Sequence, residues 1–281
     1  MFWKKRKSFY HQELPPIALL AGEGKMPFLV LEGIRAAGRR VLLLAIHGSA
    51  EDRLISLADY SVSLYVTELG KAIQTCLKHG VKELVMVGRV HHKNIFSVSL
   101  FKLDWTAFCF WWKLKDRRAD SLLKGIADLF FARGITLMNS VKYLQSHLAK
   151  EGVLTDKKPS SSLWQDIHFG SKLAKEIGRL DIGQAVVVKQ GSVVAVEAME
   201  GTDQCIERAG LLAGPGCVVV KMAKPNQDMR FDVPVVGINT IEKLIKVKAA
   251  ALAIEAGTTV ILDPEAIEVA NKHGIIIVSI V

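Results

Sequence analysis

The stretch VVVKMAKPNQDMRFDVP, residues 218–234, delivers Lys221 and Lys224 from an apolar run into a loop that also carries Arg230 and Asp232, with Pro225 and Pro234 restricting its backbone. Hydrolysing a pyrophosphate takes cations to offset charge on the phosphoryl oxygens, a metal or base to ready the water, and a fixed in-line approach. This loop holds suitable groups for that chemistry. Its other reading is an ordinary solvated basic loop. Upstream, GRLDIGQAVVVKQGSVVAVEAMEGTDQC crowds Asp181, Gln184, Glu197, Glu200, Thr202 and Asp203 around one hairpin. Residues 200–203 follow its second strand and precede a helical stretch, so either Thr202 or Asp203 is a plain N-cap, or free N–H groups there face an anion. Asp181, two residues after Arg179, also reads as one half of an exposed ion pair.

The first half of the chain offers two more candidates. AGEGKMP, residues 21–27, follows a buried strand and opens a helix, where unpaired N–H groups and the helix dipole favour an anion. It is an incomplete GxGxxG, because Pro27 stands where a third glycine would be, and a plain tight turn explains it too. VGRVHHKN sets Gly88 and Arg89 at the end of another strand, the edge where open α/β sheets bind ligands, so that Arg89 can meet a nucleotide. The adjacent His91 and His92 point opposite ways in an extended chain and make a poor grip for one metal. Residues 96–112 hold seven of the twenty aromatics, three of the five tryptophans among them. Together with Lys113 and Lys115 they suit a membrane interface or a pocket for acyl chains; a core helix or a dimer contact is the alternative.

These residues need a scaffold, and the pattern supplies one. Short apolar runs (IALLA, RVLLLAI, ELVMVG, GITLM) alternate with helical stretches at 27–37, 67–78 and 120–132. That alternation predicts a parallel sheet covered on both faces. The polar stretch 150–164, with a lysine pair, a proline and three serines, reads as a linker. Beyond it, a helix over 165–177, a hairpin turning at Gln190 and Gly191, and the runs CVVVKM, PVVGI, TTVILD and GIIIVSI alternate with helices from Thr202, Thr240 and Pro264. The expectation is α/β with two domains: an N-terminal Rossmann-like parallel sheet over 14–149 and a C-terminal mixed α/β domain over 165–281.

Composition sets the outer bounds. At 281 residues, two cores fit; half the residues are apolar and 23% charged, which is globular. The net charge of +9 points to an anionic partner, whether nucleic acid, membrane surface or phosphorylated substrate. No RNP-like motif occurs, and the aromatics cluster instead of alternating with basic residues, so nucleic acid is the reading set aside. The four cysteines form no CxxC pair, arguing against a zinc ribbon or disulfide framework and for a reducing cytoplasm. The N-terminal apolar run is too short for an export signal, and Lys102 and Asp104 interrupt the most apolar segment, so no membrane span is expected.

Taken in order, these blocks resemble one family, the LpxI-type UDP-2,3-diacylglucosamine pyrophosphatases of lipid A biosynthesis. The likeness is densest over Glu176-Ile177-Gly178-Arg179-Leu180-Asp181-Ile182-Gly183-Gln184, then Val196-Glu197-Ala198 and Glu200-Gly201-Thr202-Asp203. It extends to Ala21-Gly22, Gly24 and Pro27, to Gly88 and Val90, to Asp120 with Leu122 and Leu123, and to Lys221, Lys224-Pro225, Arg230, Asp232 and Pro234. Glu23, Arg89 with His91 and His92, and Met222-Ala223 depart from the family pattern. The resemblance implies a cytoplasmic, Mg2+-dependent hydrolase that yields UMP and 2,3-diacylglucosamine 1-phosphate (lipid X). It also implies two domains with the substrate between them, and a homodimer. Asp232 matches the family's essential acidic residue and is expected to be catalytic and a metal ligand. Gly24, Gly88, Asp120, Gln184, Thr202 and Lys221 are expected to line the nucleotide and phosphate site, with Arg89, Asp203 and Lys224 as further substrate contacts. A substrate with a charged head and two acyl tails would bring its enzyme to the inner-membrane surface without spanning it. The rival reading is a non-catalytic nucleotide-sugar binding protein.

Overall fold

The computed structural model describes residues 14–90, 104–113 and 119–281. The chain divides into two compact units, Met1–Met138 and Asn139–Val281. His91, His92 and residues 96–103 of the aromatic segment lie outside the described residues.

In the first unit, strands β1 (Ile17–Ala21), β2 (Val41–Ile46), β3 (Tyr60–Leu64), β4 (Glu83–Val87) and β5 (Thr136–Leu137) form one sheet in the order β3-β2-β1-β4-β5. Every pairing in it is parallel. VLLLAI of β2 is buried at all six positions, because a strand covered on both faces has no polar side to show. Helix α1 (Met26–Ala36) buries Pro27, Val30, Leu31 and Ile34, the 3–4 spacing of a single helical face. Helices α2 (Asp52–Leu57), α3 (Leu69–Lys78), α4 (Trp105–Lys113) and α5 (Ala119–Phe131) complete the described part of this unit. The chain leaves β1 toward β2 on one side and returns to β4 on the other, so the strand order reverses between β1 and β4. Open α/β sheets bind ligands outside such a point.

The second unit is the expected mixed α/β layer. Its sheet runs β6 (Gly152–Val153), β13 (Ile276–Ile280), β11 (Ala251–Glu255), β9 (Val218–Lys221), β7 (Ala185–Lys189), β8 (Ser192–Val196). The three strands β13, β11 and β9 are parallel, while β6, β7 and β8 pair antiparallel. Beside it β10 (Val235–Val236) and β12 (Val260–Ile261) form a parallel pair. Alternation along the strands divides the core in two. Val187, Val219, Leu252, Ile254 and Ile277 face residues of helices α7 (Thr202–Ala213), α8 (Ile238–Lys246) and α9 (Glu265–Lys272). Val186, Val188, Val218, Val220, Ala251, Ala253, Ile276 and Val278 face α6 (Ser161–Arg179). Gly170 of α6 lies so near the sheet that a Cβ there would stand 2.6 Å from Val220 Cγ2.

The hairpin turns at Gln190 and Gly191 as expected, both with positive φ. Buried Asp166 of α6 clamps the turn, its two carboxylate oxygens accepting from Gln190 N at 2.9 Å and Gly191 N at 2.7 Å. Two elements differ from the sequence reading. Strand β11 is not among the runs read as strands, yet it sits between β9 and β13 in the sheet, and α8 ends at Lys246. Residues 150–164 contribute β6 and the Ser160 cap of α6, whose hydroxyl accepts from Leu163 N. Ala149 already belongs to the second unit's core.

Candidate functional site

The loop 222–234 leaves the C-terminal end of β9, and each of its bends is held by a named bond. Lys221 is 7% exposed and donates from Nζ to Val235 O at 3.1 Å, tying the two ends of the loop together. Met222 N donates to Gln184 O at 3.0 Å, and Ala223 N donates to Glu255 Oε2 at 2.7 Å. Asp228 grips Arg230 through both carboxylate oxygens, at 2.9 and 2.7 Å, a fork-to-fork pair that fixes the tip. The N–H groups of Phe231 and Asp232 both donate to Asp228 O.

Within this frame, two of the expected site residues, Lys224 and Asp232, come together with Asp181 beside them. Lys224 Nζ meets Asp181 Oδ1 at 2.6 Å, joining the loop to the turn after α6. Gly178 makes room for that approach, since a Cβ there would already be 3.2 Å from Lys224 Cα. The side-chain amide of Gln227 then reaches in two directions: Oε1 accepts from Lys224 N at 2.8 Å, and Nε2 donates to Asp232 Oδ2 at 2.8 Å. Asp232 is exposed, and its Oδ1 has no partner among the described residues.

A second polar group stands behind the loop. Glu197 is 6% exposed; its Oε1 accepts from Thr202 Oγ1 at 3.0 Å and its Oε2 from Gln184 N at 3.2 Å. Gly183 crosses the Glu197 carbonyl so tightly that a Cβ would stand 2.2 Å from that oxygen. The side-chain oxygen of Gln184 is buried with no partner among the described residues. Thr202 is the first residue of α7 and Gly201 occupies the cap position, so neither Thr202 nor Asp203 is the N-cap, and no side chain caps this helix. Asp203 lies in its first turn. Glu200 is held apart: it accepts from Ala198 N and pairs with Arg208 at 2.6 Å, and its own backbone N–H followed by the Arg208 guanidinium lowers its pKa.

In the first unit, the loops after β1 and β4 cross. Glu23 N donates to Arg89 O at 2.8 Å, and Arg89 N donates to Glu23 O at 3.0 Å. Side chains are excluded from the crossing, because a Cβ on Gly22 would stand 2.3 Å from Arg89 O and one on Gly88 would stand 2.8 Å from Gly22 C. Gly22 and Gly88 therefore serve the crossing itself, while Gly24, with φ +106° and open space around it, and the exposed Arg89 stand in the loops after β1 and β4. Asp120 is the second residue of α5, and its side chain lies outside the described residues.

Gln227, Asp228 and Glu255 are residues of the candidate site that residue type and spacing did not point to. Each acts through backbone N–H groups or a neighbour's side chain, which only the folded loop reveals. Among the described residues no three His, Cys, Asp or Glu side chains gather around one point as an all-protein metal cage would require. One exposed carboxylate with a spare oxygen does fit Mg2+, which binds through one or two carboxylates together with substrate phosphates and water.

The family model described as the LpxI N-terminal domain matches residues 16–147, and the one described as the LpxI C-terminal domain matches residues 150–278. The UDP-2,3-diacylglucosamine pyrophosphatase LpxI of Caulobacter vibrioides is 28% identical over 279 residues, covering 94% of this chain and 97% of the relative. Among solved structures, the biotin carboxylase domain of Hydrogenobacter thermophilus 2-oxoglutarate carboxylase superposes with a TM-score of 0.28 at 13% identity, over 72% of this chain and 42% of the other. The biotin carboxylase subunit of a pyruvate carboxylase gives a TM-score of 0.29 at 12% identity, over 71% and 42%. The chain spans less than half the length of these carboxylases.

Proposed function

The chain belongs to the LpxI family, and from that premise we propose that it hydrolyses the pyrophosphate bond of UDP-2,3-diacylglucosamine in lipid A biosynthesis, releasing UMP and 2,3-diacylglucosamine 1-phosphate. The observation that carries the reading is the chain of contacts Asp181–Lys224–Gln227–Asp232, which sets a cation and an oriented carboxylate on one fixed loop.

In the reaction, water adds its oxygen to one phosphorus as the bridging P–O bond breaks, and the bridging oxygen leaves on the other phosphate. Two phosphomonoesters result. Lys224, held by Asp181, supplies positive charge toward the phosphoryl oxygens, and Arg230 adds a second cation to the same loop. Gln227 orients Asp232 by holding one carboxylate oxygen, which leaves the other directed to the reaction. Asp232 would hold Mg2+, whose contribution when bound is to offset the charge that builds on the phosphates. Thr202 and the uncapped start of α7 offer N–H groups to an anion. Homodimerisation and a cytoplasmic place at the inner membrane belong to the same proposal.

Incubation of purified protein with the lipid nucleotide, with Mg2+ or with EDTA, followed by mass spectrometry of the products, tests it. UMP and the diacylated sugar phosphate should form only with the metal. Binding of the nucleotide sugar with no UMP in either condition would favour the non-catalytic rival.

A further inference from the structure

Helix α4 carries two aromatic faces with different fates. Ala107 and Phe110 are buried against Leu69 of α3, with Trp111 and the α5 residues Leu122, Ile126 and Leu129 packed around them. On the other side Trp105, Phe108 and Trp112, spaced three and four residues apart, are 77%, 44% and 83% exposed. Their rings follow one another along the helix, with centroids 5.5 Å apart from Trp105 to Phe108 and 6.3 Å from Phe108 to Trp112. Three large rings in water form a contiguous apolar strip, the kind of surface that marks an interaction site.

The strip is mounted firmly. Asp104 starts two helices at once: Oδ1 accepts from Ala107 N at 2.8 Å, and Oδ2 accepts from Gly70 N at 2.6 Å and Lys71 N at 3.2 Å. Gly70 allows the contact, as a Cβ there would stand 2.8 Å from Thr106 Oγ1. The orientation of the strip is thus fixed by the first unit's own packing.

We propose that Trp105, Phe108 and Trp112 are an anchor that seats the first unit on an anionic phospholipid surface. Two features choose a bilayer over a second protein, and the length of the helix says how it would lie there. Indole rings are amphipathic and settle at the headgroup level, and a basic run beside them suits a bilayer better than the centre of a protein–protein contact, which is depleted of charge. In the sequence Trp112 is followed directly by KLKDRR, residues 113–118, with four basic residues and one acidic, within a chain of net charge +9; such a run is attracted to anionic headgroups. Nine residues at ~1.5 Å each give a helix far too short to cross the hydrocarbon layer, so it lies along the surface. This anchor rests on the inner-membrane place given in the proposed function and names the residues that would secure it, while the hydrolysis stands or falls separately.

The test uses the full chain and no nucleotide. Vesicles of phosphatidylcholine, with and without phosphatidylglycerol, are sedimented with the wild type and with the Trp105→Ala/Trp112→Ala variant, both checked for fold by circular dichroism. The wild type should bind the anionic vesicles, more weakly as salt is raised, and the variant should show a bound-to-free ratio lower by at least ~10-fold. On the wild type alone, brominated phospholipid should quench part of the tryptophan emission. Equal binding by both proteins, no binding of the wild type, or a strip whose loss breaks self-association while vesicle binding is unchanged would each overturn the proposal. Hydrolysis assayed separately, in detergent micelles, keeps the fate of the reaction apart from the fate of the anchor.

Discussion

Gln227 holds Asp232: its Nε2 donates to Asp232 Oδ2 at 2.8 Å while its Oε1 accepts from the Lys224 backbone at 2.8 Å. The carboxylate therefore has one committed oxygen and one that is not committed. On the proposed reading Gln227 is a positioning residue, since it would touch neither phosphate nor water. Replacing it with leucine removes a hydrogen bond to a charged group, worth ~1.5–3 kcal/mol, which is ~10–100-fold in rate if it acts mainly in the transition state. Gln227→Leu should lower kcat by at least ~10-fold with KM little changed, measured as UMP release. A rise in KM at constant kcat would instead make Gln227 part of substrate binding.

Asp232→Ala removes the carboxylate outright. The side chain is exposed, so the fold loses little. Turnover should drop at least ~100-fold while the nucleotide sugar still binds, the pattern of lost transition-state stabilisation. Isothermal titration alongside the rate assay distinguishes this from lost binding, and an active alanine variant would remove Asp232 from the reaction.

The crossing of the β1 and β4 loops allows a graded test. A methyl at Gly22 would meet the Arg89 carbonyl at 2.3 Å, and overpacking against backbone costs ~1–3 kcal/mol. Gly88 adds φ +91° to its clash with Gly22, a further ~1–2 kcal/mol for a residue with a Cβ. Urea midpoints should therefore fall in the order wild type, Gly22→Ala, Gly88→Ala. Equal midpoints for the two variants would mean that the loop relaxes away from the strain.

Much of this architecture is legible in the residues. VLLLAI reads as a buried parallel strand because it is apolar at every position, and Gln190-Gly191 reads as a turn because its glycine accepts positive φ, though Gln190 adopts it too. AALAIEA does not read as a strand, since alanine favours a helix by propensity; its place between β9 and β13 is decided by packing, with Ala251 and Ala253 lying in the core layer shared with α6. The site divides in the same way. Lys224 and Asp232 can be picked out by type within one loop, and Lys221 at the strand end that enters it. The Asp181–Lys224 pair cannot, because its partners are 43 residues apart and meet only after α6 folds onto the sheet.

Thiol chemistry checks the cores independently of function. Burial pushes the Cys76 thiol up to about 12 and the Cys205 thiol up to about 11, and it raises Cys217 as well. All three stay protonated at mildly alkaline pH and out of a reagent's reach, while Cys109 is half-buried on α4. Ellman's reagent should find one fast thiol in the native protein and four in denaturant, and Cys109→Ser should remove the fast phase. A second fast thiol in the native state would show that one of the cores opens.

Glu200 gives stability a dependence on acid. Its own backbone N–H, then Arg208, then the N–H of Ala198 lower its carboxyl pKa in the folded chain. The unfolded chain keeps the ordinary value, so as pH falls it takes up the proton first and gains relative to the native state. The contribution is therefore complete above the ordinary glutamate range, declines as pH falls through it, and is gone below the folded pKa. Arg208 remains charged throughout, so the change belongs to the carboxyl. Glu200→Gln cannot titrate: it should be less stable than wild type near neutrality, and the gap should close on acidification from about pH 6 to about pH 3. Urea midpoints of both proteins across that range measure the gap, and a gap that stays constant with pH would mean that the Arg208 contact does not depend on the charge of Glu200.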